Sequence, residues 1–165
     1  MDITDLILDD HHRQRQAFAR LDSLDSTDAL GLRLLWGELA QFLERHAAAE
    51  EAVFYPQLLH LADPDGEQTK DAIGDHNDIR RAVADSANYE VASAKWWAAV
   101  GQARTANTEH MGEEEDEGLA DFRKRVTLEQ RHSLGILFEM AKSDPAAPNL
   151  DMTDKDPVEY VAHNG

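Results

Sequence analysis

The pattern His-x-x-x-Glu occurs twice in this chain, as His46-Ala-Ala-Ala-Glu50 and His110-Met-Gly-Glu-Glu114, and an Asp-His pair precedes each copy. His11 of Asp10-His11 stands 35 residues before His46, and His76 of Asp75-His76 stands 34 before His110. Residues four apart on an α-helix project from one face about a turn apart. Each motif therefore aims an imidazole nitrogen and a carboxylate at one point only if the chain is helical there. Two such helices, joined by two helices that carry a single histidine, supply four nitrogens and two carboxylates. A zinc site normally stops at three or four ligands, so this set suits a pair of metal ions, with the glutamates able to bridge them.

The remaining sequence is all-α in pattern. Apolar residues recur at helical spacing, and no segment shows sustained two-residue alternation rich in β-branched side chains. Helix one is expected over about residues 3–21, with Ile7, His11, Phe18 and Leu21 on a stripe and His12 facing away. Helix two runs to about residue 61, where Asp63-Pro64-Asp65-Gly66 stops it, with Leu39, Leu43, His46, Glu50 and Val53 on its inner side. Helix three covers about residues 69–88, and helix four starts near Ser93 and frays near Gly118. Short connections make neighbours antiparallel, giving an up-down-up-down four-helix bundle. Thr127-Leu128-Glu129-Gln130 reads as a capping box that opens a fifth helix to about Lys142, with Leu134, Leu137 and Phe138 closing one side. One domain over residues 1–142 follows, and residues 143–165, with Pro145, Pro148 and Pro157, read as a loosely ordered tail.

Charge and composition narrow the partners. Asp plus Glu number 33 against 16 Lys plus Arg, a formal charge of −17 that repels a nucleic-acid backbone or an anionic bilayer. Neither is expected as a partner. Cysteine is absent, so any metal has nitrogen and oxygen ligands only. The N-terminus lacks the basic and long apolar regions of a leader, which points to a cytoplasmic protein, expected as a monomer.

A lone histidine on an apolar stripe is ordinarily a hydrogen-bonded core residue; four lining one bundle are different. Glu50 and Glu114 on inward stripes cost several kcal/mol each to bury unless paired or metal-bound. Imidazole and carboxylate together suit zinc, iron, manganese or copper. Two iron ions are favoured, because a carboxylate-bridged pair can cycle between ferrous and ferric states without a change of ligands; zinc or manganese is the alternative.

At these residues the chain resembles the hemerythrin-like family, the HHE cation-binding domains. Its order of Asp-His, His-x-x-x-Glu-Glu, Asp-His and His-x-x-x-Glu-Glu matches Asp10-His11, His46 to Glu51, Asp75-His76 and His110 to Glu115. The stretches from Glu50 to Pro56 and from Gly74 to Ile79 are similar to actinobacterial members in particular. The resemblance covers roughly residues 3–123 and implies a bundle around an oxo- or hydroxo-bridged di-iron centre held by His11, His46, Glu50, His76, His110 and Glu114. Oxygen-carrying members place a further histidine four residues after the third-helix histidine, where this chain has Arg80. Tyr55 is the candidate replacement, a phenolate being a hard donor suited to ferric iron. On an ideal helix it would sit about 140 degrees round from Glu50, so a core tyrosine or a hydrogen-bonding partner is the competing assignment. His132 is expected at a helix contact, and His60 and His163 without a role. These features imply reaction with hydrogen peroxide, by dismutation or sensing; reversible binding of dioxygen or nitric oxide is the alternative.

Overall fold

A computed structural model describes residues 1–143 and 153–165, and it is all-α. Helix α1 spans Ile3–Ser23, α2 Ala29–Ala49, α3 Tyr55–Leu61, α4 Glu67–Ser86, α5 Ala94–Glu113, α6 Leu119–Arg125, α7 Leu128–Lys142 and α8 Pro157–Asn164. Two short π-helical turns, Glu50–Phe54 and Glu114–Gly118, join α2 to α3 and α5 to α6. The bundle therefore has four long arms: α1, α2 with α3, α4, and α5 with α6. Asp2, Asp28 and Ser93 cap three of them by accepting backbone N–H groups with their side chains. Gly66 precedes the fourth in the left-handed region, at φ 68°, a conformation open to glycine at little cost.

Two apolar clusters fill the bundle. One gathers Ile3, Ile7, Phe54, Leu58, Ile73 and Phe122; the other gathers Phe18, Leu39, Leu43, Ile79, Trp96 and Val100. Along every long arm the metal-binding motif falls between them. His11 lies between Ile7 and Phe18, His46 and Glu50 between Leu43 and Phe54, His76 between Ile73 and Ile79, and His110 between Ala103 and Leu119. Trp36, which the helical stripe omits, is buried beside Trp96 and donates its indole N–H to Ser86 at 2.9 Å.

The expected fifth helix is α7, opened by the full Thr127–Gln130 capping box. Phe138 is buried and Leu134 packs inward, but Leu137 is exposed, because α7 lies across α1 and α2 on a narrow stripe. His132 is exposed, so it neither covers the site nor fills a helix contact. Helix four does not fray at Gly118: it widens into a π turn and continues to Arg125.

The tail differs most from expectation. Residues 144–152, which include Pro145 and Pro148, lie outside the described residues, but residues 153–165 are docked. Asp156 caps α8, and Pro157 occupies its first turn, where the missing N–H has no helical partner to lose. Tyr160 packs on the first apolar cluster, and Val161 lies against Gly66, where an added Cβ would come within 2.6 Å of it. A proline read as the mark of a loosely ordered tail is here a helix starter.

Because both clusters exclude water without help from the polar layer, the metal-free protein is expected to stay helical by far-ultraviolet circular dichroism. Leu39→Ala in the second cluster should lower its unfolding free energy by about 2–5 kcal/mol in urea titration.

Candidate metal centre

Four imidazoles and two carboxylates converge in the layer between the clusters, all of them buried. His46 Nε2 lies 2.9 Å from Glu50 Oε1, His11 Nε2 3.2 Å from Glu114 Oε2, and His76 Nε2 3.3 Å from Glu50 Oε2. Two groups of ligand atoms can hold a cation: His11, His46 and Glu50, and Glu50, His76 and His110. Glu50 belongs to both, one oxygen facing each half.

Tautomer follows from what stands behind each ring. His11 Nδ1 meets Glu115 Oε1 at 2.8 Å, His46 Nδ1 meets Asp10 Oδ2 at 3.2 Å, and His76 Nδ1 meets Glu51 Oε1 at 2.8 Å. The fourth, His110 Nδ1, lies 3.5 Å from Asp75 Oδ2. An ionised carboxylate only accepts, so the proton sits on Nδ1 and the Nε2 lone pair points inward. His76 Nε2 and His110 Nε2 then face one another at 3.2 Å. Nε2 of His11 and His46 and both carboxylate oxygens of Glu50 and Glu114 are buried without a hydrogen-bond partner. Such a collection of acceptors with no donor among them fits a cation. It explains the motif spelling as well. Each Asp-His aspartate holds the second histidine of its own half, and each Glu-Glu's second glutamate holds a histidine of the other half. Sequence reasoning left Asp10, Glu51, Asp75 and Glu115 without a role, although their recurrence beside every ligand was the available signal.

Burial pushes Glu50 up to about 8, and the charge on Glu114 adds to the effect. Burial opposes ionisation of Glu114, but the neighbouring imidazoles of His11, His110 and His46 outweigh it and hold the carboxyl down, to about 2. Two carboxylates in one dry layer share the deficit unequally. Glu51 is also held low, to about 2: burial opposes this, but His76, Arg80 and Lys155 outweigh it.

The π turn decides where Tyr55 goes. Tyr55 N–H donates to the Glu50 carbonyl, five residues back, and the extra residue in that turn brings the ring onto the glutamate's face. Its hydroxyl lies 3.4 Å from His76 Nε2, fully buried. Burial, with Glu114, Glu50 and Glu51 nearby, raises its pKa well above the ordinary phenol value, so it keeps its proton in the absence of a cation. In the second half Leu119 N–H likewise donates to the Glu114 carbonyl, and an apolar side chain stands where Tyr55 stands in the first. Arg80 turns away from the centre. Its guanidinium binds Glu44 at 2.8 and 3.0 Å and Glu51 at 2.9 Å. His12 is exposed on Gln16, and His60 is exposed at a helix end.

A cleft of about 380 Å³ reaches the centre beside Tyr55, His110 and Glu114, with Asp71, Asp75 and Glu117 at its rim. A smaller cavity of about 250 Å³ lies on the other side of the layer, between His46, His76 and His110 and the apolar Leu43, Ala47 and Ile79.

This is a helical bundle with a duplicated histidine–carboxylate cation site in its core. Residues 2–120 match the hemerythrin HHE cation binding domain, and the chain belongs to that family. A curated relative from Nostoc sp. (strain PCC 7120 / SAG 25.82 / UTEX 2576), described as a DNA nickase, is 26% identical over 144 residues, covering 87% of this chain. The chain spans 40% of that relative's length. No solved structure matches the chain.

Because a proton on Glu50 competes with a cation below about pH 8, cation uptake at pH 7 should release protons, and apparent affinity should rise with pH and level off above about 8. Calorimetry in buffers of different ionisation enthalpy measures this; proton-independent uptake would contradict the assignment. His46→Ala and His110→Ala should each bind less metal than the parent by elemental analysis, whereas His60→Ala and His163→Ala should bind as much.

Proposed function

We propose that this chain is a non-haem di-iron protein that reacts with hydrogen peroxide, dismuting or sensing it, with the irons held by His11, His46, Glu50, Tyr55, His76, His110 and Glu114. The observation that carries this reading is the buried Tyr55 hydroxyl beside His76, together with Arg80 turned onto Glu44 and Glu51. A phenolate in place of a neutral nitrogen ligand favours the ferric state, which suits peroxide chemistry better than oxygen carriage. Bound iron supplies one-electron steps between ferrous and ferric states. The protein's own residues supply geometry and protons. Glu50 offers one oxygen to each half, the four carboxylates hold the imidazoles with Nε2 inward, and the apolar clusters keep bulk water out. The cleft beside Tyr55 and His110 admits a small neutral molecule, and its acidic rim opposes anions. Asp75, partly exposed on that cleft, is placed to exchange a proton with solvent through His110 Nδ1.

Reversible binding of dioxygen or nitric oxide is the second reading, favoured by the small cavity that Leu43, Ala47 and Ile79 line against His46, His76 and His110, with Glu44 and Asn107 on its wall. Nucleic acid stays outside the proposal despite the nickase likeness. More than half of that relative lies beyond the shared part, and a net charge of −17 opposes phosphate backbones. Among the described residues no helix is long and apolar enough to cross a membrane. The proposed setting is the cytoplasm, as a monomer, and the spelling around Glu50 and Asp75 supports a place among actinobacterial members.

Iron analysis, optical spectra and peroxide decay test the proposal together. The iron-loaded parent should carry two irons and a visible phenolate-to-iron band that Tyr55→Phe abolishes while iron content and helicity persist. Peroxide decay should fall more than iron content. An unchanged visible spectrum in Tyr55→Phe would remove the phenolate, since a merely structural hydroxyl costs only about 0.5–1.5 kcal/mol of stability when lost, and the gas-binding reading would then stand ahead. DNA affinity should be absent at physiological salt; salt-dependent binding to plasmid DNA would reverse that exclusion.

A further inference from the structure

We infer that Lys142, at the end of α7, and Lys155, just ahead of α8, are positioning residues of the metal centre, each fixing one half of it through the carboxylate behind one histidine. The inference rests on the reading that the layer binds two metal ions. Both lysines lie outside residues 2–120, the part that matches the family.

The four carboxylates behind the histidines are not equivalent. Glu115 and Asp75 have side chains 27% and 31% exposed, so water reaches both, and Arg15 on the surface pairs with Glu115 at 2.9 Å. Asp10 and Glu51 are only 1% and 2% exposed. Each half of the centre contains one of each kind: Glu115 and Asp10 behind His11 and His46, Asp75 and Glu51 behind His110 and His76. A buried carboxylate stays ionised only beside cations. Lys142 Nζ reaches Asp10 Oδ2 at 2.5 Å, and Lys155 Nζ binds Glu51 Oε2. Arg13 and Arg80 assist at 3.3 and 2.9 Å. Without its lysine, either carboxylate loses the contact that fixes its direction and is free to swing toward solvent, and the imidazole it orients loses its hydrogen-bonded support.

Lys155 is delivered by a segment tied to the bundle on both sides of it. Its backbone N–H donates to Asn77 Oδ1 at 2.9 Å, and its carbonyl accepts from Asn77 Nδ2 at 2.7 Å. Asp154 pairs with Arg81 at 2.7 Å. Tyr160 then donates its hydroxyl to the Glu51 carbonyl. That carbonyl needs an outside donor for a local reason: the π turn sends Tyr55 N–H to Glu50, and Pro56, next in line, has no N–H. Glu51 is thus held by its side chain through Lys155 and by its backbone through Tyr160. On the other half, Lys142 lies over the Phe138 ring at 4.9 Å, and that ring meets His46 edge-on at 6.0 Å between centroids.

Chelator-driven release of iron from the loaded full chain tests the inference. The parent must first show two bound ions per chain; fewer would overturn the two-ion reading itself, before any variant is compared. Lys155→Met should speed the loss of one ion about tenfold and Lys142→Met the loss of the other, so that a single parent phase splits in two and the double variant speeds both. Lys155→Arg and Lys142→Arg should restore slow release, and thermal unfolding of the metal-free variants should match the metal-free parent. Unchanged release, acceleration of the same phase by both variants, failure of the arginines to rescue, or an equal loss of metal-free stability would each overturn it.

Discussion

Two imidazole nitrogens facing each other at 3.2 Å, His76 Nε2 and His110 Nε2, set the terms for everything around them. His76 gives its Nδ1 proton to Glu51 at 2.8 Å and His110 turns Nδ1 toward Asp75 at 3.5 Å, so the two Nε2 atoms face each other as acceptors. The same holds for His11 and His46 against Glu50 and Glu114. A layer made so largely of acceptors, with the Tyr55 hydroxyl a donor beside His76, is unstable in a dry core unless a cation occupies it or a further proton is recruited, and the raised pKa of Glu50 is the protonated version of that answer. Orientation, in turn, depends on carboxylates that must remain ionised, two of them while buried. Electrostatic demand therefore spreads outward from the layer to Asp10 and Glu51, then to Lys142, Arg80 and Lys155.

The π turns are the backbone counterpart of this demand. Both begin at the inward glutamate of a His-x-x-x-Glu motif, and in both the fifth residue onward donates to the glutamate carbonyl. A regular helix would bring only the histidine and glutamate to the layer. The widened turn adds the residue below them, Tyr55 in one half and Leu119 in the other, to the same face. Duplication thus extends to backbone geometry while the side chains diverge, so among the described residues a phenol stands beside His76 in one half and the apolar Leu119 takes its place in the other.

Much of this was legible in the sequence because periodicity and motif spacing report directly on faces. The four helical stripes, the level of the ligands and the fifth helix with its Thr127 cap all follow from local pattern. Tyr55 was harder. Spacing on a regular helix puts it about 140 degrees from Glu50, and nothing in Glu-Glu-Ala-Val-Phe-Tyr announces the extra residue in the turn. The roles of Arg80, Lys142 and Lys155 were illegible for a different reason: each acts on a carboxylate 29 to 132 residues away in sequence, and long-range pairing leaves no periodic trace. Pro157, counted with Pro145 and Pro148 as the mark of a loose tail, misled because proline also suits the first turn of a helix, and composition alone does not distinguish the two.

The two halves also differ in access, which bears on where chemistry begins. Phe138 from α7 covers His46, and Lys142 and Asp10 close the layer behind it. Beside His110 there is no such cover among the described residues: Asp75 is partly exposed, its contact to the ring is the longest of the four, and the cleft past Tyr55 and Glu114 opens there. On the proposed reading the sealed half would retain its ion and the open half would be the one to exchange ligands. The phenol lies on the open side, next to His76, whose own support from Glu51, Arg80 and Lys155 is the most heavily charged in the bundle. Rigid support under an accessible coordination position is what a reactive centre needs, since a ring free to tilt would lose the geometry each time a ligand entered. On the proposed di-iron reading the second half, His76 and His110 with Tyr55, would be the reacting side, and the first half would anchor the pair through Glu50.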